Sequence, residues 1–258
     1  MVALEARALT KCYYSAVPAV RGLTFCLSEG EVLGFLGPNG SGKSTTVKML
    51  TGLLEPTEGH VLWRGARIGS DLVRYRERLG YVPEEADLYP FLSGWEYLEL
   101  VGTLRGVPRR SLERKIDSML ELFSLTPHRH SSIGSYSKGM RQRILLIAAL
   151  LHDPSLLIFD EPLSGLDVTS AMIVRSLVKT LAEKGKAMLY CSHVLEVVEK
   201  ICSTVIVLRK GRTIAYGPPS ELIKAVGQGS LEHAFAHIVE GGDTEQTARD
   251  IASVMSAA

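Results

Sequence analysis

A short apolar run at residues 32–36 leads directly into GPNGSGKST at residues 37–45, and helical periodicity follows at once. No other stretch restricts the fold as tightly. With Gly37, Gly40 and Gly42 so close together, the backbone can turn sharply and aim successive N–H groups at one point. The spacing is G-x-x-x-x-G-K-[ST], a pattern that carries meaning only after a strand and before a helix. Both are expected here. The run 32–36 reads as a buried strand. Val47, Leu50 and Leu54 share one face of a helix over 44–54, with Pro56 beyond its end. Converging N–H groups at a helix N-terminus attract phosphate. Pro38, Asn39, Gly40, Ser41 and Gly42 are therefore the expected cradle. Lys43 would reach the β- and γ-phosphates, and Ser44, beside Thr45, would offer a hydroxyl to Mg²⁺. The motif predicts a nucleoside triphosphate site.

LLIFDEP, residues 156–162, adds two carboxylates at the C-terminal end of a second buried strand. Ligands of open α/β sheets bind at that edge. Asp160 suits Mg²⁺, a hard cation that takes oxygen ligands. Glu161 can orient a water for attack on the γ-phosphate. Further strands are expected at Leu23–Leu27 by alternation, at 60–68 as a pair, and at 187–191 and 205–208 with a hairpin through Lys210 and Gly211. Strand signals vanish between about 86 and 152, which predicts a helical insertion. Strands alternating with helices imply an α/β core with a mainly parallel sheet. Two short helices are expected near 231–239 and 244–257.

SYSKGMRQR, residues 135–143, opens a helix on which Met140, Ile144, Ile147, Ala148 and Leu151 recur at helical spacing. Small residues at an uncapped, open start suggest a second anion site. The chain of 258 residues is long enough for one large domain with an inserted subdomain. Its net charge of +1 argues against a nucleic acid partner. Cys12, Cys26, Cys191 and Cys202 show no C-x-x-C spacing, so free thiols are expected rather than zinc or disulfides. No signal peptide is read, and the longest apolar run, 144–151, is too short to cross a bilayer.

Together these motifs resemble the nucleotide-binding subunit of an ATP-binding cassette (ABC) transporter, over about residues 2–226. Residues 37–45 resemble its Walker A motif, and 156–161 its Walker B motif with catalytic glutamate Glu161. Residues 164–167, ending at Asp167, resemble the D-loop at the dimer contact. His193 resembles the switch histidine, and Tyr13 matches the aromatic that stacks on adenine. Residues 136–140 resemble the signature motif LSGGQ. Tyr136, Lys138 and Met140 depart from it, while Ser137 and Gly139 are kept. In the family, two cassettes pack head to tail and each signature helix caps the γ-phosphate held by its partner. The resemblance thus implies that the second anion site serves another chain.

Glu84 stands where the family's Q-loop carries glutamine, and it could still ligate Mg²⁺. The YVPE form and LEHAFAHIV at residues 231–239 are similar to cassettes of ABC-2-type exporters. The resemblance implies a P-loop NTPase core with a mainly parallel sheet, an N-terminal antiparallel β portion and a helical subdomain inserted at about 86–152. Residues 227–258 would form a C-terminal extension. It implies ATP and Mg²⁺ as cofactors, a separately encoded integral membrane permease, a second cassette, and a place on the cytoplasmic face of the cell membrane. The alternatives are a soluble cassette ATPase of translation or DNA repair, a P-loop kinase or GTPase, and a non-catalytic binding subunit. No N/T-K-x-D element is found, and Lys43, Glu161 and His193 are all present.

Overall fold

The computed structural model of the chain describes residues 1–13, 17–85, 87–227 and 229–240. The antiparallel strands β1 (Val2–Lys11) and β2 (Val20–Ser28) open it, followed by β3 (Val32–Leu36). Leu23, Phe25 and Leu27 of β2 face inward and their neighbours outward, the alternation of a half-exposed strand. Helix α1 (Lys43–Leu50) begins at the motif lysine and ends at Leu50 rather than at residue 54. The Thr51 hydroxyl donates to the Val47 carbonyl, and Gly52 turns the chain with φ +69°. The expected strand pair is β4 (Glu58–Trp63) and β5 (Ala66–Arg67). Arg64 and Gly65 between them both have positive φ, which matches the twist of a tight hairpin.

Helix α2 (Leu72–Glu77) and strand β6 (Leu79–Val82) lead into the helices α3 (Gly94–Leu104), α4 (Arg109–Leu122) and α5 (Lys138–Leu150). Ser93 and Glu96 form a capping box at the start of α3. On α4, Leu112, Ile116 and Leu120 make a single buried stripe. The chain then alternates through β7 (Leu156–Asp160), α6 (Val168–Glu183), β8 (Ala187–Cys191), α7 (Leu195–Ile201) and β9 (Thr204–Arg209). It finishes with β10 (Arg212–Gly217), α8 (Pro219–Val226) and α9 (Leu231–Glu240). The helix expected near 244–257 lies outside the described residues.

One sheet has the order β2-β1-β4-β5 and is antiparallel; the other has the order β10-β9-β3-β8-β7-β6 and is parallel except for β10. β3, β7 and β8 are buried at every position because the parallel sheet is covered on both faces. Phe25, Leu27, Phe35, Leu50 and Leu189 join the two sheets and α1 in one core. Leu146, Val174, Val178 and Val198 cover the other face. Leu98, Ile116 and Leu120 form a third cluster among the helices between β6 and β7. Helix α5 belongs to both neighbours. Its Leu145, Leu146 and Ala149 face the sheet, while Ile144, Ile147 and Ala148 face the helical cluster.

Candidate active site

The parallel sheet ends in a cleft of about 740 Å³, at the C-terminal tips of β3, β7 and β8. Residues 37–45 line it together with Glu84, Asp160, Glu161, Ser192 and His193. The sequence motifs separated by more than a hundred residues therefore meet in one place.

Glycine is required in the loop for two reasons. Gly42 has φ +106°, and a Cβ there would stand 2.7 Å from the Ala19 carbonyl oxygen. A Cβ on Gly37 would stand 2.5 Å from the Leu208 carbonyl oxygen. The Lys43 ammonium folds back over the loop, donating to the carbonyls of Gly37 (2.5 Å) and Pro38 (3.3 Å). The first N–H groups of α1 have no intrahelical acceptor, as at any helix start. The buried Ser41 hydroxyl has no hydrogen-bond partner in the described structure. Donors converging on one point and a lysine resting on carbonyls fit a polyphosphate.

Asp160, the last residue of β7, is only 5% exposed. Its carboxyl is pushed up to about 6, chiefly by burial and then by repulsion from Glu84 and Glu161, with Lys43 opposing the rise. Glu161 occupies the left-handed region with φ +50°, which for a side chain of this size costs about 1–3 kcal/mol. Neighbouring groups hold it there. Its N–H donates to the Cys191 carbonyl at 2.9 Å. Its Oε1 accepts the His193 N–H at 2.9 Å and lies 2.9 Å from His193 Nδ1, and its Oε2 accepts from the Ser192 hydroxyl at 3.2 Å. The remaining edge of the His193 ring is open to solvent, with 79% of its side chain exposed.

Among the described residues there is no cluster of three or more His, Cys, Asp or Glu side chains arranged to hold a metal. Ser44, Glu84 and Asp160 instead share the cleft with the phosphate loop. Mg²⁺ commonly binds through one or two carboxylates plus substrate phosphates, so this donor set fits a cation that arrives with a nucleotide.

Other sequence-predicted residues lie outside the cleft lining. The Tyr13 hydroxyl is 3.5 Å from Thr45 Oγ1, with its ring half-exposed beside the loop. Ser137 caps α5, accepting the Met140 N–H at 3.2 Å, so the helix start is capped and not open as expected. Gly139 packs on the loop before α6, where a Cβ would stand 2.5 Å from the Gly165 carbonyl oxygen. Asp167 caps α6 by accepting from the N–H and hydroxyl of Ser170, at 2.8 and 2.7 Å, which hold its carboxyl below the usual range.

The motif reading missed Ser192, Gln142 and Phe235. Ser192 adjoins His193, and its hydroxyl type was the available signal. Gln142, buried on α5, donates to the Pro162 carbonyl at 3.1 Å and ties that helix to the turn after Glu161. Phe235 reaches the cleft from α9.

A strand, a glycine loop and a helix facing the acidic pair of buried Asp160 and partly buried Glu161 define a phosphate-loop nucleoside triphosphatase. The chain belongs to the ABC transporter family, whose model matches residues 20–164, and it is an ATP-binding ATPase of that family. It is 37% identical over 224 residues to the linearmycin resistance ATP-binding protein LnrL of Bacillus subtilis, covering 87% of this chain and 72% of that protein. It is 34% identical over 220 residues to the ABC transporter ATP-binding protein NatA of the same organism, covering 85% of this chain and 89% of that protein. A solved ATP-binding subunit of an ABC transporter superposes with a TM-score of 0.86 at 31% identity, covering 92% of this chain and 99% of the other.

Proposed function

We propose that this chain binds ATP with Mg²⁺ and hydrolyses it to drive a separately encoded integral membrane permease, in the direction of export. In this reading residues 1–226 are the cassette, with the helical subdomain inserted at about 86–152, and 227–258 are an extension. Residues 37–45 hold the phosphates, with Lys43 on the β- and γ-phosphates and Tyr13 stacked on the adenine. Ser44 and Asp160, with Glu84 nearby, hold Mg²⁺, which neutralises charge on the phosphates when bound.

Glu161 takes the proton from the attacking water as the new O–P bond forms and the bond to the ADP oxygen breaks. Ser192 and His193 hold its carboxylate in position. Export is supported by the YVPE and LEHAFAHIV segments and by the likeness to a relative named for linearmycin resistance. No helix among the described residues is long and apolar enough to cross a membrane; in this reading the permease supplies the path.

A second cassette completes the site. Ser137, Gly139 and Asp167 lie outside this chain's own cleft, which is what a head-to-tail pairing requires of groups that serve a partner's phosphate. The observation that carries the catalytic reading is the Glu161 carboxylate, held by Ser192 and His193 in the same cleft as Lys43. Glu161→Gln should bind ATP yet turn it over at least ~100-fold more slowly, the scale of a lost general base. An ATP-bound dimer should accumulate on gel filtration. Near-normal turnover overturns the assignment.

A further inference from the structure

Helix α9 lies outside every nucleotide motif, yet it touches the elements that carry them. Leu231, Ala234 and Val239 are buried, and Leu231 and Val239 share a core with Val197, Val198 and Ile201 of α7. The Glu199 carboxylate of α7 accepts the Leu231 N–H at 2.8 Å, which satisfies a donor at the start of α9. Phe235, one helical turn further on, packs partly into that core and also lines the nucleotide cleft beside Leu195 and His193.

The connection to the chemistry is short. α7 begins two residues after His193, and His193 is held to Glu161 through both its N–H and its Nδ1. α7 has only seven residues and no side-chain cap at its N-terminus. A helix that short is marginal by itself and takes its stability from what packs on it. α9 is one of its packing partners, reaching from Glu199 to the cleft wall.

We propose that α9 is a positioning element of the ATPase site. Docked on α7, it fixes where that helix starts and so holds the His193–Glu161 contact in register, with Phe235 as its foot in the cleft. This rests on the reading of Glu161 and His193 given above. Among the described residues no hydrogen bond joins α9 to the phosphate loop, and the α9 hydrogen bond goes to Glu199 of α7 instead, so nucleotide affinity should depend on α9 far less than turnover does. The effect belongs in kcat, not in KM.

The test uses the full chain and steady-state ATP hydrolysis. Phe235→Ala should lower kcat about fivefold or more while leaving KM for ATP within about twofold, the scale of coupling between packed elements. Phe235→Leu, which keeps most of the apolar volume, should retain most of the activity. Glu199→Ala breaks the α7–α9 hydrogen bond away from the cleft and should lower kcat in the same direction. In a His193→Ala background the further loss from Phe235→Ala should disappear, because the residue acts through the histidine. A purely structural role would lower the melting temperature and leave kcat per folded molecule unchanged. Such a result, or equal losses with and without His193, overturns the proposal. Glu161→Gln measured alongside separates the two readings: if it stays active the catalytic assignment has failed, and if it is dead while Phe235→Ala is normal only this proposal has.

Discussion

Replacing Asp160 with Asn offers the sharpest test of the site's electrostatics. The carboxyl is raised from 3.8 to about 6, chiefly by burial and then by Glu84 and Glu161. A folded value above the unfolded one means that the native state holds the proton more tightly. Stability from this group is thus fully present below about pH 4 and is lost as pH rises to about 6. At about 1.36 kcal/mol per unit, ionised Asp160 costs the metal-free fold about 3 kcal/mol at pH 7.5. At pH 5 the same relation gives roughly half of that. Asn is similar in shape and carries no charge, but its buried amide recovers only part of that gain. Asp160→Asn should therefore be about 1–3 kcal/mol more stable than the wild type at pH 7.5, with the gap narrower at pH 5 by roughly half of the pH 7.5 cost. Urea unfolding at both pH values in EDTA measures it, with equal m-values as the check on two-state behaviour. A variant less stable at pH 7.5, or a gap that ignores pH, refutes the electrostatic account. Its Mg²⁺-dependent ATP turnover should be lost even as its stability rises.

Glu84 contributes to the same field, since its charge raises the Asp160 carboxyl. Glu84→Gln should keep ATPase activity but need more Mg²⁺ for half-maximal rate, and an unchanged Mg²⁺ dependence removes Glu84 from cation binding. Ser137→Arg should bind ATP on its own intact loop yet fail to dimerise or hydrolyse, as Lys43→Ala should fail for loss of the phosphate clamp. Mixing the two inactive chains pairs one whole loop with one whole signature helix. Random pairing makes half the dimers mixed, so roughly a quarter of all sites should recover. Recovery of neither hydrolysis nor ATP-dependent heterodimers refutes the head-to-tail arrangement.

The parallel core was legible because buried strands and amphipathic helices leave strong periodic marks. Two strands were not. β1 loses its alternation at Ala8, which has φ +48°, and its register with β2 shifts between Ala6 and Leu9. A bulge of that kind breaks the period-two pattern on which a strand reading depends. β6 has four residues and contains Gly80, where a Cβ would stand 2.4 Å from the Ala149 carbonyl oxygen. Glycine is there for the approach of α5, and the same residue hides the strand. The early end of α1 has a local cause too. Leu54 continues the apolar face, but Gly52 has φ +69° and breaks the helix before it.

The site divides along the same line. Residues 37–45, Asp160 and Glu161 were legible because each sits at a strand end whose chemistry is set by its neighbours in sequence. Ser137 sits among small residues that suggest an open helix start, although Ser before a helical run is itself a capping signal; its hydroxyl is engaged by the Met140 N–H. Phe235 had no local signal of any kind. It lies on an amphipathic helix where an aromatic is ordinary core material, and its position in the cleft depends on α9 docking against α7. Leucine or methionine at 235 would have given the same helical pattern. Only the tertiary contact distinguishes a packing residue from one that borders the nucleotide. A cleft assembled from distant elements is therefore read from sequence in proportion to how much of its chemistry is local, and the positioning groups are the last to appear.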